Sequence, residues 1–358
     1  MKSYSVFFAN YTIGEDAYDM VPQVCRRYGS RILMIGGEKA MDAAAPLLEA
    51  ALKDTDLSIV DRVIFGKDCT TAQIARWAAY AKACGADMIF GMGGGKALDT
   101  AKGAADQAGL PVFTFPTIAA TCAATTALSV VYREDGNFER FAFFEKPARH
   151  CFINTRVIAD APWKYLRAGM GDTMGKFFEC HFSARGDQLD HSSSLGREIS
   201  NLCYGPLLEH GAPALQDCRN HKVSFDLEQA VLANIVSTGM VSLMVLDDYN
   251  CAIAHSVYYG LVLLPGFEET YLHGDVVAYG VLVQLAVDHD WERLKEAKEF
   301  LKSLEIPSTL AEMHVPLDRE YLREVLKETV NGPDMEHIPY PVTEDMIYEA
   351  MEAVEKLG

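Results

Sequence analysis

The sequence predicts two units: an α/β N-terminal unit on a doubly wound parallel sheet (1–160), then an all-α unit (161–358). Three observations carry this reading. Short β-rich runs alternate with amphipathic helical segments over the first half, the signature of parallel strands joined by crossover helices. After 161-APWKYL-166, long helical patterns dominate and β-type runs nearly vanish. At 358 residues the chain can bury two sizeable cores, and Asp160-Ala161-Pro162 marks the boundary between them.

In chain order, RILMIG (31–36), DRVIFG (61–66), DMIFGM (87–92), PVFTFP (111–116) and LSVVY (128–132) read as strands of the sheet. Between them, 38–54, 70–84 and 96–109 carry apolar residues at helical spacing. The stretch YREDGNFERFAFFEK reads as a hairpin turning at Asp135-Gly136. In the second half, 168–185, 194–211, 226–247, 276–287 and 291–304 read as helices. A cleft between an α/β and an all-α unit is where a small substrate would sit.

Composition narrows the function classes. A net charge of −18, with no basic block longer than Arg26-Arg27, argues against a nucleic-acid surface. The N-terminus lacks the apolar core of a signal peptide and no 18-residue apolar run marks a membrane span, so a cytoplasmic protein with no membrane partner is expected. Nine scattered cysteines without a CxxC read as reduced thiols rather than a disulfide framework or a cysteine zinc site.

The most informative string is 91-GMGGGKALDTAKGAAD-106, where four glycines and Lys96 separate a strand from a helix. Residues without Cβ let backbone approach a phosphate, and the N–H groups of the next helix point at it. A pyrophosphate cradle and a tight structural turn are both open. The spacing is neither GxGxxG nor a P-loop.

GGGKALDTAK followed by 116-PTIAATCAATTALSVVY-132 resembles the glycerol dehydrogenase-like branch of the iron-containing alcohol dehydrogenase superfamily, essentially from end to end. The resemblance implies a dehydroquinate synthase-like architecture. It also implies an NAD(P) site in which the GGGK loop holds the pyrophosphate and the PTIA segment lines the groove. The corresponding residues are Gly94, Gly95, Lys96, Thr117, Thr126, Leu128 and Tyr132, with Asp99 fixing the loop.

Asp172, His255 and His273 lie far apart in sequence, and no local spacing proves that they meet. Alone, Asp172 could be a helix N-cap and His255 a core histidine. The family pattern matches all three to its Asp–His–His ligands for one divalent metal per chain: zinc, with iron the alternative. Iron-type members carry another His four residues after the Asp, whereas this chain has Lys176, which fits the three-ligand glycerol dehydrogenase type. Dehydroquinate synthases carry Glu at the Asp172 position, which disfavours a lyase.

Glycerol dehydrogenases carry an Asp that helps bind the polyol where this chain has Cys122, and a thiol is a poor acceptor for a hydroxyl. PTIAATCAA, GDTMGK and YLHGDVVAYGVLVQ look like the hydroxycarboxylate dehydrogenases, which reduce 2-oxo acids. Lys176, one turn from Asp172, could meet a substrate carboxylate; a solvated lysine or a Glu179 pair is the plain alternative. No dedicated general base stands out. Gly36-Gly37 replace the Asp that binds the adenosine ribose in glycerol dehydrogenases. Lys39 could then attract a 2′-phosphate while Glu38 keeps a ribose partner, so NADP is favoured over NAD. The expectation is a homo-oligomeric, metal-dependent oxidoreductase moving hydride between NAD(P)H and a small 2-oxo acid. Its alternatives are an NAD-dependent glycerol dehydrogenase and, more remotely, a lyase or a silent nucleotide-binding protein.

Overall fold

The computed structural model describes residues 5–357. Its strands are β1 (Tyr11–Gly14), β2 (Arg31–Gly36), β3 (Ser58–Ile64), β4 (Met88–Gly93), β5 (Val112–Pro116), β6 (Leu128–Tyr132), β7 (Phe138–Phe143) and β8 (His150–Asn154). Six of them form a parallel sheet in the order β1-β8-β5-β4-β2-β3. Along β2, Ile32 and Met34 pack with Met41, Ala44 and Leu48 of α1 (Glu38–Leu52). Leu33 and Ile35 point the other way, onto Trp77 of α2 (Thr71–Ala83) and Ala101 and Ala104 of α3 (Gly95–Ala108). Both faces are thus covered, which is why the inner strands read as continuous apolar runs.

LSVVY was expected in this sheet and is not part of it. β6 pairs antiparallel with β7 as a separate two-stranded sheet. Along β6, buried Ser129 and Val131 alternate with partly exposed neighbours, the pattern of a ribbon with one covered face. The expected hairpin is present, turning over 133–137 with Gly136 at φ 89°, and β6 is its first strand. The sheet takes instead β1, a four-residue edge strand, and β8, between β1 and β5. β1 is too short for periodicity to reveal, and β8, HCFIN, carries polar residues at both ends of a three-residue apolar stretch.

After Asn154 the described chain is helical. Four helices matter for the candidate site: α4 (Lys164–Ser183), α6 (Ile253–Leu261) and α7 (His273–Val287), which carry its residues, and α5 (Phe225–Met244), which braces the segment after β5. Every residue of α7 from Gly274 to Val287 is buried, so it is the core around which the others pack. Contrary to expectation, one helix, α5, is long and apolar enough to cross a membrane; 61% of that stretch is buried in this fold.

The segment after β5 is tied to this helical half. Asn234 Nδ2 donates to the Ala119 carbonyl at 2.9 Å, and the Thr125 hydroxyl donates to the Ile235 carbonyl. Both partners lie in a π-turn, Leu232–Ser237, within α5. Between helices, contact is backbone to backbone. A Cβ on Gly274 would overlap the Ala168 carbonyl of α4, and one on Gly280 would overlap the Ala254 carbonyl of α6. A bidentate pair between buried Asp275 and Arg167 (2.6 and 3.1 Å) closes the α4–α7 contact.

Gly280→Ala should force α6 and α7 apart and destabilise the protein by about 1–3 kcal/mol, the usual cost of overpacking. Urea unfolding with an unchanged midpoint would show that the contact yields freely.

Candidate active site

The sheet order places the nucleotide candidates. Winding runs outward from β2 to β3, jumps back to β4 and continues to β5, so the direction reverses between β2 and β4. Loops leaving the carboxyl ends of those two strands run to opposite faces and open a crevice, the usual ligand position in such sheets. The Gly37 N–H donates to the Met92 carbonyl at 3.3 Å, joining the two loops. Gly94 precedes the first turn of α3, and no side chain caps that helix start. A Cβ on Gly94 would come within 2.7 Å of Ile118. An uncapped helix start behind a loop this tight suits a pyrophosphate. At Gly37 an added Cβ would have nothing nearer than 3.8 Å, and Glu38 and Lys39 are exposed beside it.

The remaining cofactor candidates gather around α3. The Thr117 N–H bonds the Gly93 carbonyl at 3.1 Å. Asp99 is buried, accepts from the Val130 N–H at 3.1 Å, and pairs with Lys102 Nζ at 2.9 Å. Lys102, also buried, donates to the Ala123 carbonyl (2.7 Å), Thr126 Oγ1 (3.1 Å) and the Leu128 carbonyl. Asp99 therefore anchors the 123–130 segment, not the glycine loop it was expected to fix, and does so with a lysine that the sequence reading passed over three residues along the same motif. Lys96, taken for a phosphate partner, is ion-paired with Asp68 and lies 4.7 Å over the Tyr132 ring. Asp68 was not foreseen either.

Asp172, His255 and His273, from three different helices, do meet. Their ligand atoms all lie within 4.8 Å of one another. Asp172 Oδ1 is 3.4 Å from His273 Nε2 and 3.6 Å from His255 Nε2. Ligands at about 2.1 Å from a tetrahedral zinc-sized ion stand about 3.4 Å apart, so this donor set could hold one. Asp172 lies mid-helix, not at an N-cap. Burial alone would raise its carboxyl, but hydrogen bonds from His255 and His273 outweigh that and hold it well below the usual carboxylate range. The Tyr258 ring packs edge-on against His273 at 4.3 Å.

Two neighbours of this cluster depart from expectation. Lys176 is neither solvated nor paired with Glu179. It is buried, and Nζ donates to the Asn250 carbonyl (2.6 Å) and Asn250 Oδ1 (3.1 Å). Burial works against its charge, yet the acidic groups around it, the carboxylates of Glu179 and Asp172 included, more than offset this and raise its pKa. Glu179, which the sequence reading weighed only as a partner for Lys176, is fully buried. It accepts from His255 Nδ1 at 2.6 Å. Burial, and then the Asp172 charge, push the Cys122 thiol up to about 11, so it stays protonated near neutral pH.

A sequence model of the iron-containing alcohol dehydrogenase family matches residues 9–151. The chain is 33% identical to hydroxycarboxylate dehydrogenase A of Escherichia coli K12, over 91% of this chain and 90% of that protein. It is 32% identical to the glycerol dehydrogenase of Citrobacter freundii, over 98% and 96%. The solved glycerol dehydrogenase of Schizosaccharomyces pombe matches with a TM-score of 0.88 at 26% identity, covering 99% of this chain and 91% of that one.

Lys102→Met should leave the Asp99 carboxylate buried without its cation and cost about 3–5 kcal/mol. The double variant with Asp99→Asn should recover part of that loss. Urea unfolding of the three proteins decides, and equal stability of single and double variants would refute the coupling.

Proposed function

The chain is an oxidoreductase of the iron-containing alcohol dehydrogenase family, in its glycerol dehydrogenase-like branch, and from that premise we propose that it oxidises small polyols with a nicotinamide dinucleotide and one divalent metal. The observation that carries this reading is the Asp172, His255 and His273 cluster, three ligand atoms at metal-binding spacing. Three protein ligands leave coordination free for a substrate oxygen. Support also comes from glycerol dehydrogenases matched over 96% and 91% of their length, against which the 2-oxo acid reading is the second choice.

When bound, the metal would polarise the substrate C–O bond and the nicotinamide would exchange a hydride with that carbon. The chain's residues prepare that step. Asp172, held ionised, supplies the negative charge a cation needs, and His255 and His273 would each supply a ring nitrogen to it. Residues 1–160 would carry the dinucleotide, with its pyrophosphate at Gly94 and Gly95, and 161–358 would carry the metal and substrate. The docking of 117–126 onto α5 keeps the two at fixed separation. Gly37 presents no carboxylate to a 2′-phosphate and Lys39 is exposed nearby, so NADP(H) is the proposed preference. Zinc is the proposed metal.

His255→Ala should lose the stoichiometric metal and nearly all turnover, while NAD(P)H binding to the glycine loop survives. The test is metal analysis plus a rate assay at 340 nm with glycerol and 1,2-propanediol, using both nucleotides. Failure of the unmutated, metal-loaded protein to turn over any polyol with either nucleotide sinks the reading.

The second reading, 2-oxo acid reduction, is favoured by Cys122 and Lys176. The thiol is a weak partner for a hydroxyl, and the buried ammonium keeps one N–H beyond the two given to Asn250. Lys176→Met should lower kcat/KM for 2-oxo acids by about 10²-fold, near the 1.5–3 kcal/mol of a charged hydrogen bond. Turnover of neutral diols should change much less. Equal losses on both would mean that Lys176 acts only by clasping Asn250.

A further inference from the structure

Helix α4 carries Asp172, Lys176 and Glu179 at spacings of four and three residues, on one face. All three address the stretch around His255. Lys176 holds Asn250, as described. Glu179 Oε1 accepts from the backbone N–H groups of Ala252 and His255, each at 2.8 Å. Its Oε2 takes His255 Nδ1 at 2.6 Å. The carboxylate is 0% exposed, and among the described residues no lysine or arginine lies within ion-pair reach of it. Fully burying a carboxylate without a cation is costly, and three hydrogen bonds from two neighbouring residues offset that cost.

Capping alone would need only an acceptor for the two N–H groups. The contact to Nδ1 adds something a neutral cap does not require. A carboxylate can only accept, so the shared proton belongs to Nδ1, and Nε2, which faces Asp172, is the nitrogen left for a metal bound there to take up. The α6 start and the ring orientation are set by the same group.

We propose that Glu179 is a positioning residue which fixes the Nδ1–H form of His255 and aims Nε2 at the metal. The inference rests on the metal reading above. Histidine ligands held this way lose about 10–100-fold in metal affinity when the partner is removed.

Glu179→Gln separates the two roles. Its amide oxygen can still accept from Ala252 and His255, but its NH2 then faces Nδ1 as a donor and favours the wrong tautomer. If the amide flips, its NH2 meets two backbone donors instead. The readout is the zinc Kd of the whole protein, from competition with a chromophoric chelator, alongside the NADH Kd and the thermal midpoint. The expected result is zinc binding weakened tenfold or more with NADH binding unchanged. A loss of less than tenfold overturns the inference. Should the Gln variant not fold, Glu179→Asp decides: it keeps the charge but withdraws it by one methylene, so zinc should bind several-fold more weakly. An unchanged zinc Kd there overturns the inference. Absence of a stoichiometric zinc site in the unmutated protein overturns the metal reading, whereas a site indifferent to Glu179 overturns this inference alone.

Discussion

The close approach of three helices is the constraint on which the candidate site depends. α7 meets α4 at Gly274 and α6 at Gly280 with backbone against backbone, closer than any side chain would permit. Helices normally pack 8–10 Å apart, with side chains between them. Here that layer is missing at the two contacts. Short reach from the main chain then suffices to bring one carboxylate and two imidazoles together, with 3.4 and 3.6 Å between ligand atoms.

The nucleotide candidates depend on a different device. α1 and α3 cover opposite faces of the sheet, so the loops that enter them diverge and leave a crevice. The 117–126 segment borders that crevice and is held from both sides: Lys102 grips it from the α/β half, and Asn234 and the Ile235 carbonyl grip it from the helical half. A nucleotide in the crevice and a substrate at the cluster would share that wall. Cys122 lies in the same segment, which explains how one thiol feels the charges of Asp172, Lys176 and Lys102.

Buried charge is concentrated where position matters. Asp99 with Lys102, Asp275 with Arg167, and Glu179 with His255 each carry ionisable groups into the interior. Each is costly to desolvate and directional once formed; the last two pairs join different helices, and the first, within α3, grips the 123–130 segment. An acidic chain with a formal charge of −18 thus spends its few buried cations on joints between elements.

The sequence by itself determined the fold class, four of the six sheet strands, the glycine loop and the family. All of these are written in residues adjacent along the chain: alternating apolar runs, strand–glycine–helix junctions, and one long motif. It also named Asp172, His255 and His273, though only through resemblance, since no local spacing joins them. What only the tertiary structure decided is everything set by contacts between distant segments. β8, HCFIN, has only three apolar-type residues between polar ends, and its place between β1 and β5 comes from pairing. LSVVY has the composition of a sheet strand but leaves the sheet, because the chain is drawn away toward α5 after β5. Lys176 stands one turn from Asp172 in either account. Whether its ammonium meets water, Glu179 or Asn250 depends on where residue 250 arrives, 74 positions later. Helical spacing specifies which face a side chain occupies; the partner on that face is supplied by another part of the chain, and only folding brings it there.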